Sequence, residues 1–106
     1  MEEIENEWFR TLYIVEPSHD LSVVKDYTDN IKFITTGTEL VEGLAERVSA
    51  SLEDFDPEED AIIPMGRTSA CLITGLILRS KIPKGGTVKI GVYKKDSKYV
   101  FVKVVI

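Results

Sequence analysis

The strongest hydrophobic pattern in the chain is a short apolar run, a loop, and then an almost wholly apolar segment. Ala61–Ile63 predicts a short buried strand, residues 64–67 a tight loop, and residues 68–80 a helix. A strand without alternating polar positions, followed by a helix apolar nearly all round, is typical of burial on two sides. Such a unit predicts the middle of a parallel α/β sheet, although the helix could also bury its second face in a dimer. Gly75 predicts close packing of this helix against a strand or a neighbouring helix.

Two further strand–helix pairs are predicted before this unit. Strands are expected over residues 10–15 and 31–35, each followed by a helix, over residues 21–27 and 39–52. The longer helix carries the clearest stripe, which consists of Leu40, Leu44, Val48 and Leu52. Thr38 is its expected N-cap. In the acidic connector that follows, residues 53–60, Phe55 is expected to pack on the edge of the core.

After the apolar helix the pattern changes to strict alternation, which predicts a β-hairpin. Val88, Ile90 and Val92 share one face, residues 94–98 turn the chain, and residues 99–106 return as a second strand. The whole order, βαβαβα and then ββ, predicts a three-layer, Rossmann-like α/β fold with a mostly parallel sheet. We expect the flavodoxin-like strand order 2-1-3-4, with the last strand antiparallel beside strand four. The crevice beyond strands one and three is then the switch point where ligands collect.

Composition limits the class of protein. With 106 residues, 43% of them apolar and 29% charged, the chain has the size and balance of one globular α/β domain, in which residues 1–9 are a mobile end or a short helical turn. No apolar run is long enough to span a membrane, and the acidic start does not resemble a secretion signal, so we expect a cytoplasmic protein. One cysteine, Cys71, and one histidine cannot form a disulfide or a zinc site, and we predict no metal and no cofactor.

The net charge of −5 hides a strong asymmetry. Residues 1–60 hold 17 of the 18 acidic residues, whereas residues 61–106 hold nine of the 13 basic residues. Five lysines make the predicted hairpin basic: Lys89, Lys94, Lys95, Lys98 and Lys103. With nearby aromatic rings they suggest nucleic-acid binding. The competing reason is that edge strands carry lysines which prevent aggregation, and in a net-acidic protein we favour that reason.

The predicted switch point also gathers the residues most suited to a ligand. Gly66, Arg67, Thr68 and Ser69 lie at the start of the buried helix, where free N–H groups and a cation favour a phosphate, a nucleotide or a carboxylate. His19 and Asp20, in the loop after strand one, would lie on its far side. The alternative is structural: Thr68 caps the helix, Gly66 makes a turn, and Arg67 pairs with a nearby acid.

Catalysis is the less favoured class of function. His19 and Asp20 could supply a base, and Ser18, Ser69 or Cys71 a nucleophile. Adjacent residues rarely point at the same atom, however, and Cys71 falls within the apolar helix, where a buried structural thiol is the ordinary state. We therefore assign no catalytic residue.

Several short motifs resemble those of small uncharacterised proteins encoded by tailed bacteriophages and prophages. The resemblance covers most of residues 11–106, and its motifs read LYIV (12–15), HDLS (19–22), IKFITTG (31–37), FDPEED (55–60) and IIPMGR (62–67). The resemblance implies a phage origin and the cytoplasm of a host cell, and it supplies no activity. Small phage proteins often act by binding a component of the host. The resemblance therefore favours a module that binds a host protein, or a second copy of itself as a homodimer, over one that binds a small anion.

Overall fold

Six strands form one mixed sheet in the computed structural model, which describes residues 2–4, 8–18, 22–94 and 98–106. The strands are β1 (Glu2–Ile4), β2 (Leu12–Ile14), β3 (Ile31–Phe33), β4 (Ala61–Ile63), β5 (Thr87–Lys94) and β6 (Lys98–Val105). Their order across the sheet is β1-β6-β5-β4-β2-β3. Strands β3, β2, β4 and β5 pair in parallel, and β6 pairs antiparallel with both β5 and β1.

The α/β class and the C-terminal antiparallel hairpin are confirmed. The strand order differs from the predicted 2-1-3-4 because the sheet contains β1, which the sequence pattern did not predict. Strand β1 lies at the edge beside β6 and takes the first number. In the observed numbering, β2 lies between β3 and β4, and β5 lies on the other side of β4.

Strand β4 lies inside the sheet and is buried on both faces. Its Ile62 side chain belongs to one hydrophobic cluster, while Ala61 and Ile63 belong to another on the opposite face. All three residues are buried, as their unbroken apolar sequence predicts. The backbone of β4 is held by β2 on one side and by β5 on the other.

Both α-helices, α1 (Leu44–Ser51) and α2 (Thr68–Lys81), pack on the same face of the sheet. The connection from β2 to β3 crosses the sheet in one direction, and the connections from β3 to β4 and from β4 to β5 cross it in the other. Because such connections are right-handed, the one from β2 to β3 lies on the face opposite to α1 and α2. The predicted helix over residues 21–27 is wrong in type: the chain forms a 3₁₀ helix, Ser22–Asp26. Its Val24 and the surrounding aromatic rings cover that face in place of an α-helix.

The predicted start of the longer helix is also wrong. Helix α1 begins at Leu44, after a 3₁₀ turn at Val41–Gly43, and Leu40 is 71% exposed instead of buried. The cause lies in the Glu39 backbone carbonyl, which accepts a hydrogen bond from Arg67 Nη1 in place of the N–H that an α-helix starting here would supply. Thr38 consequently caps nothing: the N-cap is Gly43, without a side-chain bond. The rest of the stripe is buried as predicted, and Phe55 packs edge-on against Tyr13, with the ring centroids 5.2 Å apart.

Candidate functional site

Three loops meet beyond the carboxyl ends of the parallel strands. Backbone hydrogen bonds continue the sheet past β2: the Val15 N–H donates to the Ile63 carbonyl at 3.2 Å, and the Thr35 N–H donates to the Val15 carbonyl at 2.8 Å. The Glu16 N–H then donates to the Met65 carbonyl at 2.9 Å. These bonds place Glu16 between the loop after β3 and the loop after β4. This is the crevice that the sequence predicts as a switch point.

The carboxylate of Glu16 fills this crevice. Glu16 is only 3% exposed, and its Oε1 accepts the backbone N–H of Arg67 at 2.8 Å. Its Oε2 accepts hydrogen bonds from Arg67 Nη2 at 2.6 Å, from Arg67 Nε at 2.9 Å and from Thr35 Oγ1 at 2.8 Å. A carboxylate of the chain itself therefore occupies the position where the sequence predicts an external anion.

Arg67 bridges two of the loops. Besides Glu16, its guanidinium binds the Glu39 backbone carbonyl, through Nη1 at 2.6 Å, and its Nη2 lies 3.6 Å from Glu39 Oε1. Gly66, which precedes it, has a φ of 111°, in the left-handed region that favours glycine. A Cβ atom built on Gly66 would lie 2.4 Å from the Glu16 Cβ, so the close approach of the two loops also requires glycine here.

The pKa values reflect these contacts. The hydrogen bond from Arg67 lowers the pKa of Glu16 against the opposing effect of burial, and the same bond raises the pKa of Arg67. The pKa of Glu39 is lowered to about 2, mainly by the hydrogen bond from the Thr36 N–H. Both carboxyl groups are therefore held in the charged form at neutral pH.

The structure brings together only part of the predicted ligand site. Gly66 and Arg67 lie in the crevice, Thr68 is exposed and Ser69 is half-buried at the start of α2, whereas His19 and Asp20 lie outside the described residues. Arg67 is the N-cap of α2, and no side-chain bond caps the helix. Of the nucleophiles considered, Ser18 is exposed, and burial raises the pKa of the Cys71 thiol, which makes it less reactive.

Sequence reasoning missed Glu16, Thr35 and Glu39 as members of this cluster. One signal for Glu16 was present: a carboxylate that directly follows a fully apolar strand is placed at the mouth of the crevice. A carboxylate in that position needs a partner, and Arg67 follows the neighbouring strand in the same way.

A second buried carboxylate lies at the opposite ends of the strands. Asp60 is fully buried and accepts hydrogen bonds from Arg10 Nε and Nη2, at 3.0 and 2.6 Å. It also accepts the backbone N–H groups of Thr11 and Asp56, at 3.1 and 2.9 Å. This residue holds the acidic connector against the start of β2.

The hairpin lysines do not share one surface. Lys89 is only 7% exposed; its Nζ donates to the Glu58 backbone carbonyl at 2.6 Å and lies 5.8 Å from the centre of the Phe9 ring. Lys94 and Lys98 are exposed and face each other across the hairpin, Lys103 is half-buried, and Lys95 lies outside the described residues. The prediction of Lys89 as a surface residue is therefore wrong, because Lys89 ties the hairpin to the acidic connector.

The middle of the outer face of α2 is apolar and exposed. It consists of Leu72 and Leu76, 63% and 64% exposed, with Gly75 between them. The expectation that Gly75 packs closely against a neighbouring element is wrong within this chain, because a Cβ atom built there has nothing within 4 Å. At the N-terminal end of the same layer, Leu40 and Val41 are also exposed.

A cleft opens on the opposite face of the sheet, at the carboxyl ends of β4 and β5. It has a volume of about 340 Å³ and is lined by Ile63, Pro64, Met65, Gly66, Gly91, Val92, Tyr93 and Tyr99. The rings of Tyr93 and Tyr99 meet edge to face, with their centroids 5.4 Å apart. The cleft is thus walled by aromatic and apolar side chains.

No family model, curated protein or solved structure matches this chain. Within the part of the chain that the structure describes, no helix has the length and apolar content needed to cross a membrane. In the same residues, no three His, Cys, Asp or Glu side chains are grouped so as to hold a metal ion.

Proposed function

We propose that the protein is a non-catalytic interaction module that associates with a second copy of itself through the outer face of α2. The observation that carries this proposal is the exposure of Leu72 and Leu76 on either side of Gly75. Burying an exposed leucine contributes about 1.5–3 kcal/mol, and a two-fold contact would bury four of them. A glycine that no neighbour in its own chain requires lets two helices approach closely.

Replacing both leucines by glutamate, L72E/L76E, should abolish self-association. We expect the parent protein to change from a monomer of 11.9 kDa to a dimer as its concentration rises from micromolar to millimolar, and the double variant to stay monomeric. Sedimentation velocity measures both species. The control is V105E, which introduces one negative charge at an exposed apolar residue in β6. A parent protein that is monomeric throughout, or a double variant that dimerises like V105E, contradicts the proposal.

Gly75→Ala should have opposite effects on the fold and on the dimer. Alanine favours a helix over glycine by about 1 kcal/mol, and the methyl group meets no atom of its own chain, so the dilute monomer should gain stability of that order. The same methyl group separates the paired helices and should weaken the dimer. Urea unfolding of dilute protein and sedimentation of concentrated protein separate the two effects. If the variant dimerises as well as the parent, Gly75 is not at the contact.

The alternative function, binding of a small anion such as phosphate or a nucleotide at Gly66, Arg67, Thr68 and Ser69, has less support. An external anion would have to displace the Glu16 carboxylate from five hydrogen bonds that are already made. A host protein as partner, a phage origin and a location in the host cytoplasm stay predictions. The flavodoxin-like assignment is likewise a proposal, supported by the position of β2 between β3 and β4.

A further inference from the structure

The cleft beside β4 and β5 lies apart from the proposed dimer face. Its residues Ile63, Met65 and Tyr99 belong to the core on the side of the sheet opposite to the two α-helices. The carboxyl ends of parallel strands are the usual location of ligands in open α/β sheets. A volume of about 340 Å³ lies within the range of sites for small molecules.

The walls of the cleft indicate which chemistry it accepts. Among the residues that the structure describes, none of those lining the cleft is charged. Tyr93 is 60% exposed and stands edge-on to the buried ring of Tyr99, so that one aromatic ring is available for a new contact. Met65 adds a thioether, which makes favourable contacts with aromatic rings.

Two glycines contribute to the wall of the cleft. Gly66 and Gly91 both line it, and neither position has room for a larger residue. A Cβ atom on Gly91 would lie 2.6 Å from the Phe101 ring and 2.9 Å from Ile63. Both positions therefore require glycine; Gly66 is exposed, whereas Gly91 is buried.

We propose that this cleft binds a small, uncharged, planar aromatic molecule. Such a ligand can pack against the Tyr93 ring, fill the apolar space and leave no charge unpaired, whereas a phosphate or carboxylate would find no cation among the lining residues. The inference rests on the walls of the cleft and is independent of self-association.

The test is a titration of the full chain with indole and adenine as planar probes, and with cyclohexanol and inorganic phosphate as counter-probes. Backbone amide NMR shifts at Gly66, Gly91 and Tyr93 report binding. We expect both planar probes to bind, with Tyr93→Ala weakening them about fivefold to tenfold and Tyr93→Phe changing them little. Val105→Ala is the distant control, since Val105 pairs with Thr87, roughly 20 Å along the strand from Tyr93.

A second variant, Tyr93→Lys, replaces the exposed ring of the cleft with a charged side chain and should block both probes without disturbing the core. The proposal is overturned if neither planar probe binds. It is overturned equally if cyclohexanol or phosphate binds as well as indole, or if Tyr93→Ala binds like Val105→Ala.

Discussion

Replacing Asp60 by Asn should lower the free energy of unfolding by about 3 kcal/mol, the largest loss that we expect from a single side chain. All four groups around the Asp60 carboxylate are donors: two nitrogens of Arg10 and the N–H groups of Thr11 and Asp56. An amide in this place turns its own NH₂ group toward at least one of them, leaving buried donors without an acceptor. Urea denaturation followed by circular dichroism measures the loss.

Asp54→Asn is the matched control for this prediction, because it makes the same chemical change on an exposed side chain of the same connector. We expect Asp54→Asn to alter stability by no more than about 0.5 kcal/mol, as is usual for surface substitutions. If Asp60→Asn lowers the free energy of unfolding no more than its control does, then Asp60 does not hold the connector to β2. Our account of that end of the sheet would then be wrong.

Replacing Glu16 by Gln should lower the free energy of unfolding at neutral pH by about 2 kcal/mol and flatten its dependence on pH. The folded-state pKa of Glu16 lies below the ordinary 4.5 because of Arg67, so the unfolded chain takes up protons first as the solution is acidified. Its stabilising effect is therefore complete above about pH 4.5 and disappears as the pH falls through the lower, folded-state value. The difference between parent and variant should shrink over that acidic range.

Unfolding curves of both proteins, recorded from neutral pH downward, test this prediction. Glu39 titrates in the same direction, with a pKa of about 2, and remains in both proteins, so the difference between them isolates Glu16. Glu46→Gln, on the exposed side of α1, serves as the control. A difference between parent and Glu16→Gln that stays constant from neutral pH to pH 2 would show that the charge of Glu16 contributes nothing.

The centre of the fold could be predicted because its signals are local. The unbroken apolar residues of Ala61–Ile63 and the nearly uniform apolar helix after them leave few alternatives to a doubly covered strand and a packed helix. The hairpin could also be predicted, since the alternation of apolar and polar residues and the predicted turn at residues 94–98 indicate both strands.

The errors arise where long-range contacts decide the local structure. Residues 39–43 have a helical pattern, but Arg67 binds the Glu39 backbone carbonyl and holds the segment in another conformation. Residues 2–4 form strand β1 because they pair with the edge of β6, and their own sequence does not predict a strand. The candidate site shows the same limit: Arg67 and Gly66 were identified, but Glu16, which lies 51 residues earlier in the chain, was not.

The parallel pairing of Ile62 with Ile90 has a consequence for the order in which the protein can form on the ribosome. Until the hairpin of β5 and β6 has emerged, the edge of β4 that pairs with β5 has no partner in the nascent chain. Strand β4 is also the most apolar strand of the sheet. Synthesis therefore passes through a stage in which the most apolar strand is unpaired on one side, and this stage ends once residues 87–106 have been made.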